Sequence, residues 1–479
     1  MRECKMYIGG KWVDSLSGQT FDDLDPYSGE VYAKVPKADA RDVDRVMAAA
    51  YEARKTWASI PPIERSKFLY KAAQILEENQ QEYAEVLIKE GGSTVGKAMF
   101  EIAQTVDLLN TAAADCKRIF GETYHTDPTK FSMSIRKPRG TIVTFSPWNF
   151  PMILAMYKVA YGLATGNTVV LKPSSETPVI GLKIGELFDK AGVPAGAVNI
   201  ITGPGSVIGD ALIDDKRCSY VALTGETRTG RHIAQRAAAN LKEYYLELGG
   251  KNPLVILKDA DIDYAVKTAV FSAYLHQGEI CMSADRIIVE KPIVEEFTEK
   301  MKNLVSHLPV GDPSDPKTFI GPVISDKQVQ SIHELVQDAV AKGATLLTGG
   351  TYEKRLYQPT LLTNINPEMR IYYEEIFGPV TCIIPVNDEK EALAVANDTN
   401  YGLSAGVITS DYEKALFLMD NIEAGMVHVN DGSIDADSVC PFGGVKESGQ
   451  GREGGRFSIE EFTEIKWITM VKQKKQYPF

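Results

Sequence analysis

At 479 residues, 44% hydrophobic and 24% charged, the chain has ordinary globular composition and enough length for two or three domains. Its 52 Lys+Arg against 64 Asp+Glu leave a formal charge of -12, which argues against general affinity for nucleic acid or anionic membrane, so any anionic ligand must be held locally. Residues 1–10 carry no signal pattern and no run of about 18 uncharged apolar residues occurs, so the expectation is a cytoplasmic protein with no nucleic-acid or membrane partner.

In chain order, residues 42–109 repeat apolar positions at helical spacing among Ala, Glu and Lys, punctuated by Pro61 and Pro62. They read as several amphipathic scaffold helices. From Thr141 the texture becomes strand, loop, helix, strand, with apolar strands expected at 141–145, 168–171, 197–201 and 220–223. Such alternation implies parallel strands joined by crossover helices. A second set begins at 254–257 and continues near 286–289 and 380–385, giving two α/β units. The tail, 462–479, alternates polar and apolar residues around Glu464 to Met470, which predicts a late strand. A lone strand must pair, and a subunit boundary is one place for it to do so.

Several segments carry chemistry. Asn149 stands between Pro147 and Pro151 after the first strand, where a rigid amide can donate to a developing oxyanion or simply make a turn. Lys172 and the following Pro-Ser-Ser end the second strand, at the edge where open α/β sheets bind ligands; the lysine can meet ribose or phosphate oxygens, or only solvent. Thr224 to Gly230 is a glycine-bracketed turn into a helix, whose backbone N–H groups attract pyrophosphate, although it is not the G-x-G-x-x-G fingerprint.

Glu247-Leu248-Gly249-Gly250-Lys251 and His276-Gln277-Gly278-Glu279-Ile280-Cys281 set a carboxylate and a thiol 34 residues apart. A thiolate in a tight, glycine-permitted loop is a nucleophile, and a carboxylate that takes a proton from water completes a hydrolytic second step. The other cysteines, Cys4, Cys116, Cys218, Cys382 and Cys440, form no C-x-x-C pair and lie near no histidine at zinc spacing, so neither a disulfide framework nor a metal site is expected. Glu374-Glu375-Ile376-Phe377 pairs carboxylates with an aromatic, and the glycines between Pro441 and Gly449 suggest backbone packed against a ligand or another chain.

Together and in this order, these motifs closely resemble the aldehyde dehydrogenase superfamily of the hydrolytic, non-acylating type, over essentially the whole chain. The resemblance implies an α/β, aldehyde dehydrogenase-like fold with three parts: a Rossmann-type cofactor domain (1–120 and 140–248), an α/β catalytic domain (249–445) and a small bridging, oligomerising β element (121–139 and 460–479). It implies a homodimer or homotetramer. Residue by residue, it makes Cys281 the nucleophile, Glu247 the base, Asn149 the oxyanion amide, and Lys158 with Glu453 a proton relay. For NAD or NADP it implicates Ser146, Pro147, Trp148, Lys172, Ser174, Ser175, Gly205, Thr224, Gly225, Glu226, Thr229, Leu248, Gly249, Glu375 and Phe377.

The implied reaction is oxidation of an aldehyde to the acid through a Cys281 thiohemiacetal and thioester. Glu247 favours hydrolysis over transfer to coenzyme A. Phe150, Leu154, Tyr157, Leu275, Ile280 and Phe442 match the family's aldehyde tunnel, an apolar lining with no arginine to grip a carboxylate or phosphate. With the His276 to Met282 run, this is most similar to benzaldehyde-type and vanillin-type members, so aromatic or medium aliphatic aldehydes are favoured over semialdehydes, lactaldehyde or glyceraldehyde.

Two departures from the family pattern matter. Ser175 replaces the glutamate with which NAD-preferring relatives bind both ribose hydroxyls, which with Lys172 predicts acceptance of NADP, while Glu176 one residue on works against it. Glu226 replaces a common serine beside the pyrophosphate and is expected to turn outward. Two other classes stay open at this stage: a cysteine-dependent esterase, which would leave the Lys172 and Gly225 motifs idle, and a non-catalytic binding protein.

Overall fold

The computed structural model describes residues 2–479. After short N-terminal strands, residues 40–115 are helical: α1 (Ala40–Ser59), α2 (Pro62–Glu78), α3 (Gln80–Gly91) and α4 (Val95–Asp115). Asp39 and Asp42 form a capping box at the start of α1, and α3 stops at Gly92, whose φ of 62° closes the helix in the left-handed region.

The first large sheet has eight strands, in the order Gly449–Gln450, Glu243–Glu247, Tyr220–Thr224, Thr141–Phe145, Thr168–Lys172, Val198–Ile200, Met6–Ile8 and Lys11–Val13. Its five central strands are parallel, as the alternating texture predicts. Both edges depart from that expectation: an N-terminal hairpin pairs antiparallel through Tyr7 and Ile200, and Gly449–Gln450 pairs antiparallel with Leu246 and Glu247. Both additions are too short to show strand periodicity.

The central strands are buried on both faces. Ile142, Val169 and Leu171 pack beneath α2 to α4, α5 (Pro151–Ala164) and α6 (Pro178–Lys190). The alternate residues Val143, Val170 and Val221 pack beneath α1, α7 (Gly205–Asp214) and α8 (Thr227–Ala239). Chain order reverses between the Thr141–Phe145 and Tyr220–Thr224 strands. That opens a crevice at their carboxyl ends, where α/β sheets take ligands.

A seven-stranded sheet follows, in the order Thr345–Thr348, Thr360–Thr363, Val380–Val386, Arg286–Glu290, Pro253–Ile256, Ser404–Ile408 and Met426–Val429. Helices α9 (Ile262–Tyr274) and α10 (Lys291–Val305) cover one face, and α11 (Asp326–Ala341) packs over its Thr360–Thr363 side. The tail forms the expected strand, Thr463–Val471, but its partner lies in the same chain. It runs antiparallel to Lys130–Pro138, from Thr463 opposite Pro138 to Val471 opposite Lys130. Among the described residues, no helix is long and apolar enough to cross a membrane.

Candidate active site

The crevice holds a cavity of about 270 Å³ between the two large sheets. Glu247 reaches it from the last position of its strand, and Cys281 reaches it from the loop after α9. Asn149 comes from the turn that follows the first central strand. A larger surface groove of about 450 Å³ beside Arg2, Cys4 and Lys183 contains none of these groups.

The cysteine loop is held in an uncommon backbone conformation. His276, Gln277 and Gly278 have φ of 49°, 45° and 69°, three successive residues in a region costly for the two that are not glycine. Neighbouring chain over-determines that shape. The Gln277 amide donates to Pro322 O at 3.0 Å and accepts from Gly321 N–H at 3.2 Å, while the Glu279 carboxylate accepts from Ile324 N–H at 3.0 Å. Asn252 donates to the carbonyls of Cys281 and Ser283 at 2.8 and 2.9 Å. A Cβ on Gly250 would collide with the Cys281 carbonyl, so the close approach there demands glycine.

Burial dominates the electrostatics. The Cys281 thiol is pushed well above its ordinary range by burial and then by the carboxylates of Glu247 and Glu375, against some relief from the N–H groups of Cys281 and Met282. Glu247 is fully buried with neither oxygen hydrogen-bonded within the described residues. Burial and the nearby Glu453 charge raise its pKa well above the carboxylate range, partly opposed by Lys158. Lys158 Nζ donates to Glu453 Oε2 at 2.7 Å, leaving Glu453 Oε1 unpartnered. The Asn149 amide donates to Glu279 O at 2.9 Å, tying it to the cysteine loop.

Of the residues expected around a cofactor, Pro147, Trp148, Thr224, Gly225, Glu226, Leu248, Gly249, Glu375 and Phe377 line this cavity. The Glu375 carboxylate accepts from Gly250 N–H at 3.0 Å and packs where a Gly249 side chain would otherwise stand. Burial lifts its pKa to about 8. Trp148 and Phe377 meet edge to face at 5.3 Å. Glu226 is exposed, as expected, yet stands on the cavity rim where it starts α8, and Thr229 is exposed in that helix's first turn.

A second group gathers one strand away. Ser146 N–H donates to Lys172 O at 3.3 Å, the Lys172 side chain packs beside Gly205 at the start of α7, and Ser175 donates to Gly203 O at 3.3 Å. Ser174 accepts from Glu176 N–H, and Glu176 itself is exposed.

These residues fit a dinucleotide. The hydroxyls of Ser146 and Thr224 are buried without partners, the Lys172 ammonium meets only Pro173 O, and α8 begins without a side-chain cap on its N–H groups.

Phe150, Leu275, Ile280 and Phe442 pack with Cys281 in one apolar cluster, and Leu154 lines the cavity. Tyr157 does not join them; it packs in the core between the first sheet and its helices. Met282, Leu403, Met426 and Ile434 complete the cluster, and Gln328, Ser331 and Ile376 complete the cavity wall, without having been expected. Met282, as the neighbour of Cys281, and Ile376, between Glu375 and Phe377, stood inside segments already singled out; the others come from stretches in which the sequence showed no chemistry.

A two-sheet α/β chain whose switch-point crevice brings polar groups that fit a dinucleotide beside a buried thiol has the make-up of a cofactor-dependent oxidoreductase. Residues 12–468 match the aldehyde dehydrogenase family, and the chain belongs to it. It is 41% identical over 480 residues to the salicylaldehyde dehydrogenase of Pseudomonas sp. (strain C18), covering 99% of each chain. It is 41% identical over 468 residues to the vanillin dehydrogenase of Corynebacterium glutamicum, covering 97% of each. The crystal structure of a salicylaldehyde dehydrogenase from Pseudomonas putida G7 complexed with salicylaldehyde superposes with a TM-score of 0.97 at 40% identity over 100% of both chains. The chain is an aldehyde-oxidising oxidoreductase that uses NAD or NADP.

Proposed function

We propose that this enzyme oxidises aromatic aldehydes to their carboxylic acids, with Cys281 as nucleophile, Asn149 as oxyanion donor and Glu247 as base. One observation carries the reading: a thiol, a carboxylate and an amide share a cavity whose thiol is also wrapped by an apolar, partly aromatic cluster. No arginine is among the residues lining the cavity, which disfavours anionic aldehydes. Relatives named for salicylaldehyde and vanillin support the aromatic class.

In the reaction, the Cys281 thiol gives up its proton to solvent, regaining one when Sγ is released at the end, and Sγ bonds to the aldehyde carbon as the carbonyl π pair moves to oxygen. The Asn149 amide and the Cys281 N–H donate to the new oxyanion. A nicotinamide bound along this crevice would supply the hydride acceptor. As the oxyanion collapses, the C–H electron pair leaves and a thioester remains on Cys281. Glu247 takes a proton from water, whose oxygen displaces Sγ and releases the acid. Burial makes Glu247 bind a proton more readily than an ordinary carboxylate, which strengthens it as a base once ionised, and Glu453 with Lys158 leads the proton away. Net, aldehyde, oxidised cofactor and water give acid, reduced cofactor and a proton.

NADP is accepted at least as well as NAD, because Ser175 offers no carboxylate to repel a 2′-phosphate and Lys172 supplies a cation beside it. Residues 1–120 and 140–248 form the cofactor domain and 249–445 the catalytic domain. The ribbon of Lys130–Pro138 and Thr463–Val471 exposes Phe131, Met133 and Met470 on one face and Ile465 and Trp467 on the other, apolar surface suited to a second subunit in a homodimer or homotetramer. Six unpaired cysteines suit a reducing cytoplasm.

The test follows absorbance of the reduced nicotinamide with benzaldehyde, supplying NADP and NAD separately, for the natural chain and Cys281→Ala. Cysteine-dependent reduction, faster with NADP, is the expected result. No reduction with either cofactor removes benzaldehyde, and hydrolysis of activated esters without any cofactor would move the reading to a thiol esterase.

A further inference from the structure

We propose that Lys97 is the positioning residue of the oxyanion amide, clamping Asn149 and Phe150 from helix α4 without touching substrate. The inference rests on the oxyanion role proposed above for Asn149. Lys97 and Glu101 are four positions apart on a helix, a spacing that usually marks a solvated surface pair. Here both side chains are wholly inaccessible. A buried pair persists only when its remaining protons and lone pairs are satisfied.

The way these are satisfied points to a purpose. An ammonium has three protons, and Lys97 Nζ has three partners: Glu101 Oε2 at 2.6 Å, Asn149 O at 2.6 Å and Ser93 Oγ at 3.1 Å. The other carboxylate oxygen, Glu101 Oε1, accepts from Met152 N–H at 2.8 Å and Ile153 N–H at 3.2 Å, capping the start of α5. The ion pair is thus spent on the five-residue turn that carries Asn149.

Lys97 Nζ also sits 4.2 Å from the centre of the Phe150 ring, against which His276 packs edge-on at 5.5 Å. Asn149 is therefore gripped twice, its carbonyl by Lys97 and its amide by Glu279 O of the cysteine loop. Loss of the first grip frees the residue to swing about the second. An oxyanion donor works only when held to a fraction of an ångström, so the cost falls on the hydride-releasing step.

The test is a double-mutant cycle. Lys97→Met/Glu101→Leu removes both charges together, so no unpaired carboxylate is left buried to unfold the chain, and Lys97→Arg is the conservative variant. Each is combined with Asn149→Ala. The readouts are the burst rate of reduced nicotinamide at saturating aldehyde, cofactor affinity by fluorescence, and the urea unfolding midpoint.

With Asn149 present, the charge-free pair should slow the burst by about 10- to 100-fold, with cofactor affinity unchanged and Lys97→Arg recovering part of the rate. In the Asn149→Ala background the same change should cost less than about 3-fold, because the group it positions is already gone. Equal losses in both backgrounds would show Lys97 to be general scaffold and overturn the inference while leaving Asn149 its role. An unchanged burst in Asn149→Ala alone would remove the oxyanion reading and this inference with it.

Discussion

Lys158 and Glu453 stand 295 positions apart, yet their charged groups meet at 2.7 Å with both side chains buried. The contact joins α5 of the cofactor-side core to the segment that closes the first sheet behind Glu247. Glu453 also raises the proton affinity of Glu247 while Lys158 lowers it, so one ion pair serves both architecture and the electrostatics of the cavity.

Cutting that pair on one side should be severe. Lys158→Met leaves Glu453 buried and unpaired, and urea denaturation should report a loss of about 3–5 kcal/mol. Lys158→Met/Glu453→Leu should regain most of that stability while still turning over slowly.

Glu247→Gln should separate the two halves of the reaction. Stopped-flow absorbance should keep a burst of about one reduced cofactor per site, whereas steady turnover falls by about 10²- to 10⁴-fold. Loss of the burst as well would assign Glu247 to thiol activation.

The pH profile follows from the sign of the Glu247 shift. A base must be ionised to act, and a raised pKa delays ionisation, so kcat should climb with pH above the ordinary carboxylate range. Glu453→Gln removes a neighbouring negative charge and should move that rising limb to lower pH. A limb that stays in place would place the titration elsewhere.

Lys172 makes a separate prediction. Burial lowers its pKa to about 8, so the free enzyme holds the ammonium below that pH and loses it above. The KM for NADP should therefore be flat below pH 7 and rise steeply above 8, with a weaker trend for NAD. Ser175→Glu should reverse the preference by about tenfold or more toward NAD, through repulsion of the 2′-phosphate.

Much of this was legible from local pattern. The central strands and the Cys281 and Glu247 segments each announce themselves within a few residues, because buried parallel strands are apolar runs and tight turns need glycine. Lys97 and Glu101 were not legible, since i,i+4 spacing looks the same whether the helix face meets water or a buried loop. Asn252, which holds the Cys281 carbonyl, gives no sign in sequence of what it will touch. The tail strand was legible from its own alternation; its pairing within residues 121–139 was carried by the family resemblance alone, since no local pattern names a strand's partner.

The strand Gly449–Gln450, pairing with Leu246 and Glu247, has a bearing on biosynthesis. Ser448 O accepts the Leu248 N–H at 2.9 Å, and Glu453 lies a few residues further along the same segment. The base is therefore walled in by residues translated some two hundred positions after it. A nascent chain that has already exposed both Cys281 and Glu247 outside the ribosome still lacks the edge that shapes the pocket, so catalytic competence arrives late in synthesis, and ribosome-stalled fragments ending before residue 449 should be inert toward aldehydes.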